Sequence, residues 1–310
     1  MILQYDRNDK CRLDSYLSEQ FEDMSRSHIQ KQIKSGFITV NGCAAKSGYE
    51  LRSGDKIFVP EQQEPERIAA EAENIPLDIV YEDADLIVVN KPKGMVVHPA
   101  AGHQSGTLVN ALLYHCKDSL SGINGELRPG IVHRIDMDTT GLLVACKNDA
   151  AHAAIAEQLA VHSITRRYLA LVHGTFQETE GTVDLPIGRS EKDRKKMSVC
   201  PPGKGRNAVT HYRVIEAFKS AALIECRLET GRTHQIRVHM SYLHHPLFGD
   251  QVYGMKKDPY LHFGQFLHAA VLGFIHPRTG AYMEFSAPLP DYFEAVLAKL
   301  RHGSACVSNV

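Results

Sequence analysis

The chain lacks any run of eighteen or more apolar residues, which excludes a membrane-spanning helix of ordinary length. Its first residues, Met1-Ile-Leu-Gln-Tyr-Asp-Arg-Asn-Asp-Lys10, have neither the apolar stretch nor the small-residue cleavage site of a signal peptide. The seven cysteines are odd in number, scattered, and never spaced as Cys-x-x-Cys. That pattern argues against a disulfide framework and against a zinc site, and points to reduced thiols in the cytoplasm. Nor is there an excess of either charge: the formal net charge is −1, which excludes indiscriminate attraction to nucleic acid but not a local basic surface. What is present is ample apolar content, 43% of 310 residues, enough for a sizeable core and for two domains.

Charge is polarised along the chain. Residues 189–213 carry eight basic side chains against Glu191 and Asp193, a net of +6, whereas residues 61–74 hold five glutamates and one arginine, a net of −4. The acidic stretch is poor in large apolar groups and reads as a linker over 63–75. It separates a small module, 1–62, from a larger domain, 76–302, with a frayed tail at 303–310.

In the module, Leu13, Tyr16, Leu17 and Phe21 follow helical spacing, and a second helix over 25–34 turns Ile29 and Ile33 inward and ends at Gly36. Residues 37–42 predict a strand running into an Asn-Gly turn, and 54–59 a second strand. The second helix brings Arg26, Lys31 and Lys34 together, able to face phosphates or simply to solvate the helix. Beyond the linker, strand patterns at 79–81, 86–90, 142–146, 168–172, 209–215, 222–228, 266–275 and 282–285 alternate with helical ones at 105–114, 149–161, 233–242 and 290–300. Without regular βαβ order, these strands and helices predict an α+β core.

Three polar clusters stand out in the larger domain. The first is Gly130-Ile-Val-His-Arg-Ile-Asp136 with Asp138-Thr-Thr-Gly141, a loop that opens on Pro129-Gly130 and feeds an apolar strand. By composition alone it is a turn whose Asp and Thr side chains bond their own backbone. The second is Thr230-Gly-Arg-Thr-His-Gln-Ile-Arg-Val-His239, in which Arg232, His234 and Arg237 could equally be surface helix residues. His234 and His239 are five apart, poor for joint metal ligation on one helix, so no metal is expected. The third is Thr165-Arg-Arg-Tyr168, where a lone tyrosine at a strand start is most often a packing residue.

Taken in order, the three clusters resemble the motifs of the RluA-type pseudouridine synthases, which isomerise chosen uridines in structured RNA. The usual loop has Leu where this chain has Ile135 and Ser where it has Thr140; the usual Lys-x-Tyr is here Arg166-x-Tyr168. The module, through Arg12-Leu-Asp, Ser25-Arg-Ser and Val40-Asn-Gly42, resembles the alpha-L RNA-binding domain. Stretches such as Val97-His-Pro-Ala-Ala-Gly-His103 and Arg194-Lys-Lys-Met197 are similar to one branch, the RluD type, which modifies a stem-loop of large-subunit ribosomal RNA.

The resemblance implies a mixed, mostly antiparallel sheet crossed by a cleft, with Asp136 as the catalytic carboxylate, Arg232 as the arginine paired with it, and Tyr168 stacked on the target base. It implies that Arg134 meets the RNA, that Asp138 shapes the loop, and that Arg189, Arg194, Lys195 and Lys196 belong to a loop gripping phosphates. Physical chemistry agrees with these residue types. A carboxylate enclosed in an apolar pocket drifts towards protonation, and a facing guanidinium opposes that. Breaking and remaking a glycosidic bond without net oxidation or hydrolysis calls for no cofactor. RNA is the expected partner, no membrane is, and a monomer is the default. Two other classes remain: a catalytically silent RNA-binding protein on the same scaffold, and a sugar or nucleoside hydrolase, which would need a second acid such as Asp138.

Overall fold

The computed structural model describes residues 1–305 other than 8, 22–23, 25, 61–69, 101, 118, 126, 192 and 194–195. It divides into two compact units, Met1–Arg67 and Ile68–Val310. Residues 63–69 of the expected linker lie outside the described residues. Ala70 to Asn74 do not behave as a linker, for the Asn110 amide donates to the Glu71 carbonyl at 2.7 Å and the Glu73 carboxylate accepts from the Gly106 N–H at 3.0 Å.

The first unit contains β1 (Ile2–Gln4), β2 (Cys11–Arg12), α1 (Leu13–Gln20), α2 (Arg26–Lys34), β3 (Thr39–Val40), β4 (Cys43–Ala44), β5 (Glu50–Leu51) and β6 (Lys56–Phe58). Strands β1, β6, β3 and β4 form a small sheet. Helices α1 and α2 bury Leu13, Leu17, Ile29 and Ile33, as their spacing predicts. Asn41 and Gly42 both take positive φ, 52° and 80°, the backbone a tight hairpin turn requires. Asp14 is fully buried at the start of α1. Burial alone would raise its pKa, but bonds from Arg12 and Gln30 and the charge of Arg26 prevail and hold it at about 2.

The second unit is built on a nine-stranded sheet. Its strands are β7 (Ile79–Glu82), β8 (Leu86–Lys91), β9 (Thr140–Cys146), β10 (Thr165–His173), β11 (Glu180–Asp184), β14 (Val209–Ala217), β15 (Ala221–Leu228), β16 (Leu267–Ile275) and β17 (Tyr282–Ser286). A separate hairpin, β12 (Ile187–Arg189) with β13 (Met197–Val199), replaces the plain loop expected there. The sheet runs β11-β14-β15-β10-β16-β9-β8-β7, and every pairing is antiparallel except β16 with β9. One edge of β16 is shared, β9 pairing at His268–Ala269 and β17 at Val271–Ile275, so the sheet forks where β9 begins.

Helix α3 (Leu108–Cys116) starts at a capping box, Thr107 and Asn110 each bonding the other's N–H. It packs on Ile87, Val89, Leu143 and Ala145, while α4 (Asp149–Ala160) covers the opposite face, Leu86, Val88, Leu142 and Val144. Burial on both faces explains why β8 and β9 read as unbroken apolar runs rather than alternating ones. Helix α5 (Gln235–Tyr242) is buried from Gln235 to Met240. Helix α6 (Asp291–Ala305) packs Phe293, Val296 and Leu297 against Phe218, Phe248 and Phe266, and it runs past Gly303, where an end was expected. Residues 306–310 of the expected tail lie outside the described residues.

Candidate active site

The loop from Arg128 to Thr139 is fixed at both ends. Gly130, at φ 71°, packs so tightly that a Cβ there would lie 2.7 Å from the Cys146 carbonyl oxygen. The His133 Nε2 accepts from the Val144 N–H at 3.1 Å, and burial, then the charge of Arg166, pushes that imidazole down to about 3. Such a ring is a neutral acceptor holding the loop to β9. From the end of β8, the buried Lys91 ammonium donates to the carbonyls of Pro92, Met95 and Met137 at 2.8–2.9 Å. Burial brings this lysine down to about 7, opposed by Asp138 and Asp136. The Gln265 amide reaches the Thr139 hydroxyl at 3.1 Å, and Thr140 meets His268 at 2.8 Å.

Between these anchors the half-buried Asp136 faces a cleft of roughly 770 Å³. Six arginines line it (128, 134, 166, 206, 232 and 237), and Asp136 is the one carboxylate among the described lining residues. Asp138 is not part of the lining; it packs against Gly264, where a Cβ would come within 2.7 Å of its carboxyl group.

The arginine that pairs with Asp136 is Arg237, not Arg232. The Arg237 Nη1 donates to Asp136 Oδ2 at 2.9 Å, while its Nε and Nη2 grip Asp250 at 2.7 and 2.9 Å. Burial would lower the pKa of this guanidinium, but Asp250 and Asp136 outweigh it and hold the group charged. Burial would raise the pKa of Asp250, but Arg237 and the N–H groups of Tyr253 and Val252 outweigh it and lower the carboxyl below its ordinary value. Arg232 sits in the turn before α5, and its Nε donates to the Asn207 carbonyl at 2.8 Å. The sequence places both arginines in one motif; helix geometry decides between them, because Arg232 precedes the helix and Arg237 lies on its buried face.

Gln235 fixes that turn. Its side-chain oxygen accepts from the Thr230 hydroxyl and the Arg232 N–H, and its amide donates to the Val209 carbonyl and the Thr210 hydroxyl. His239 bonds Thr210 and Leu185 on the same side. Motif residues 235 and 239 therefore lock α5 to β14, leaving His234 and Arg237 for the cleft. His234 adopts a left-handed φ of 57°, with its Nε2 3.9 Å from Asp136 Oδ1.

Arg166 and Tyr168 share one face of β10 because side chains alternate along a strand, and a bulge in the pairing with β16 falls between Arg167 and Tyr168. Both line the cleft. Burial, countered by Arg166 and reinforced by Asp136, raises the Tyr168 phenol. The Arg166 Nη2 donates to the Glu229 carbonyl at 2.8 Å, while its buried Nε has no hydrogen-bond partner among the described residues.

Of the residues expected to meet RNA, Arg134 is exposed on the cleft lining. Lys31 and Lys34 are exposed in the last turn of α2, but Arg26 bonds Asp14 and Ser15. Arg189 is exposed at the end of β12, whereas the Lys196 ammonium is anchored on the Val252 carbonyl at 2.8 Å. Arg194 and Lys195 lie outside the described residues. Asp83, Asp85 and His276 also converge tightly enough to hold a cation, but Arg278 already pairs with Asp85 and His276 with Asp83, which ties the β7–β8 turn to the β16–β17 turn.

Comparison with known proteins matches residues 85–242 to the RNA pseudouridylate synthase family and residues 11–57 to the S4 domain. The chain is 54% identical to the uncharacterized RNA pseudouridine synthase YlyB of Bacillus subtilis, over 94% of each protein. It is 50% identical to the ribosomal large subunit pseudouridine synthase D of Zymomonas mobilis, over 93% of each. Among solved structures, human RNA pseudouridylate synthase domain containing 1 superposes with a TM-score of 0.57 at 25% identity, covering 77% of this chain and 98% of that one. The α+β fold with its mixed, mostly antiparallel sheet, the arginine-lined cleft and the matched motifs agree: the chain belongs to the RNA pseudouridine synthase family and carries an N-terminal S4 RNA-binding domain.

Proposed function

We propose that the chain converts chosen uridines of large-subunit ribosomal RNA to pseudouridine, with Asp136 as the reacting carboxylate. One observation carries this reading: among the described residues a single acid stands in a cleft lined by six arginines. That lining suits a polyanion and one reacting carboxylate. It does not suit a glycoside hydrolase, which works with two carboxyl groups. The relative from Zymomonas mobilis, named for the large ribosomal subunit, supports the choice of RNA.

The reaction is an isomerisation. The bond from the ribose anomeric carbon to uracil N1 breaks, the base turns, and a bond forms from the same carbon to C5; C5 loses a proton and N1 gains one. Asp136 serves either by attacking the anomeric carbon or by taking a proton from the ribose, and Arg237 supports the anion in both routes. The uridine must leave its stack, at a cost of roughly a few kcal/mol. Stacking on Tyr168 offsets roughly 1–3 kcal/mol of that, and Arg134 fills the vacated space. The S4 domain adds affinity through Lys31 and Lys34.

A monomer suffices for this scheme, because every group named comes from one chain. The described cysteines are all free thiols, which supports a cytoplasmic setting. The test is Asp136→Asn: pseudouridine formation on ribosomal RNA is abolished while RNA affinity stays within a few-fold. Wild-type protein that binds this RNA yet forms no pseudouridine on free or subunit-bound RNA would instead establish a silent RNA-binding protein.

A further inference from the structure

The segment Asp250–Gly254 touches the catalytic pair on one side and the β12–β13 hairpin on the other. Towards the cleft, Asp250 grips Arg237, and the Arg237 guanidinium lies over the Tyr253 ring, 5.2 Å from its centroid. Towards the hairpin, the Val252 carbonyl accepts from the Lys196 ammonium at 2.8 Å, and the Tyr253 hydroxyl accepts from the Met197 N–H at 2.8 Å. The same hydroxyl meets His234 Nδ1 at 2.9 Å, with the two rings edge to face.

We infer that Tyr253 is a positioning residue that transmits the seating of the basic hairpin on RNA to the Asp136–Arg237 pair. The inference rests on the RNA isomerase reading above and adds a route by which substrate contact reaches the site.

The hydrogen-bond order supports it. With Met197 donating to the phenol oxygen, the hydroxyl keeps its own proton for His234 Nδ1. The remaining imidazole proton then sits on Nε2, 3.9 Å from Asp136 Oδ1. Burial, against the pull of Asp136, lowers the pKa of His234 and keeps the ring neutral, able to accept at Nδ1. His234 also holds a left-handed backbone, φ 57°, uncommon for a residue with a Cβ. One phenol thus fixes an imidazole tautomer, supports a guanidinium through its ring face, and receives the first N–H of β13. Displacement of the hairpin reaches all three groups at once, because the backbone carbonyl just before Tyr253 carries the second tie, to Lys196.

The test uses the full-length protein and a ribosomal RNA substrate on which wild type forms pseudouridine. Tyr253→Phe keeps the ring under Arg237 and removes only the hydroxyl. The expected result is a single-turnover rate at saturating RNA reduced about tenfold, with RNA affinity within twofold of wild type. Lys196→Met, which cuts the other tie, slows the same step, and the double variant is no slower than the slower single one. A merely structural tyrosine would lower the melting temperature without this split between rate and affinity. Tyr253→Phe at the wild-type rate, or strictly additive losses in the double variant, overturns the inference. An inactive wild-type protein would overturn the isomerase reading instead, so the two failures are distinguishable.

Discussion

The Arg237 guanidinium reaches Asp136 across 101 residues of sequence and closes on it at 2.9 Å while its other edge holds Asp250. Two carboxylates share one buried cation, so removing the cation harms both the reaction and the fold.

Arg237→Gln leaves Asp250 buried without a counter-charge, a change that costs about 3–5 kcal/mol. Turnover at saturating RNA falls by roughly a hundredfold or more. Arg232→Ala behaves differently: it weakens RNA affinity and its salt dependence, with the saturated rate within about threefold of wild type. Steady-state kinetics and urea unfolding of the two variants check this, and a loss confined to Arg232→Ala would restore that residue as the partner of Asp136.

Lys91→Met removes three donated bonds at once. The carbonyls of Pro92, Met95 and Met137 are left in a buried site, with an expected loss of about 2–4 kcal/mol in stability. The loop carrying Asp136 loosens with them, so the saturated rate falls about tenfold or more while RNA affinity changes little. Equal stability and rate in the variant would show that the ammonium does not hold the loop.

Gly141→Ala is the most damaging small substitution in the sheet. Gly141 has φ 105°, and an added Cβ would fall on the backbone of Ala269, where β9 and β16 run parallel. Strained backbone and collision together destabilise by about 3 kcal/mol or more, read as a lowered urea midpoint. A variant as stable as wild type would mean the fork opens more easily than its geometry implies.

Asp14 gives the S4 domain an acid-sensitive joint. Its folded pKa, about 2, lies below the ordinary 3.8, so the stability it contributes is complete above about pH 4 and disappears as pH falls through 2. Asp14→Asn is therefore less stable than wild type at pH 7, and the difference shrinks between pH 4 and 2. Thermal melts of residues 1–60 within the full chain, followed by amide exchange, measure it; a constant difference across that range would remove Asp14 as the cause.

Much of the site was legible from residue order. The turn at Pro129-Gly130, the acid at 136 and the tyrosine at 168 are local signals, and alternation along β10 puts Arg166 and Tyr168 on one face without further information. Arg237 was harder to find because its partners lie 101 and 13 residues away. The deciding fact is burial, which residue order does not show: within Gln235-Ile-Arg-Val-His-Met240, all buried, the arginine must be paired, whereas one after a Thr-Gly turn need not be. The β12–β13 hairpin was hidden for the opposite reason. Most of its residues are charged or polar, and the few apolar ones that hold it, Ile187, Met197 and Val199, are too scattered to read as strands, while Tyr253 and Val252 supply its polar ties.

The fork in the sheet also bears on synthesis. Thr140 meets His268 and Thr139 meets Gln265, partners 128 and 126 residues downstream, so the stretch that presents Asp136 finds its seat only after β16 has emerged. A chain ending before Leu267 would carry the acid and the tyrosine yet lack the strand beside which the Asp136 loop is seated.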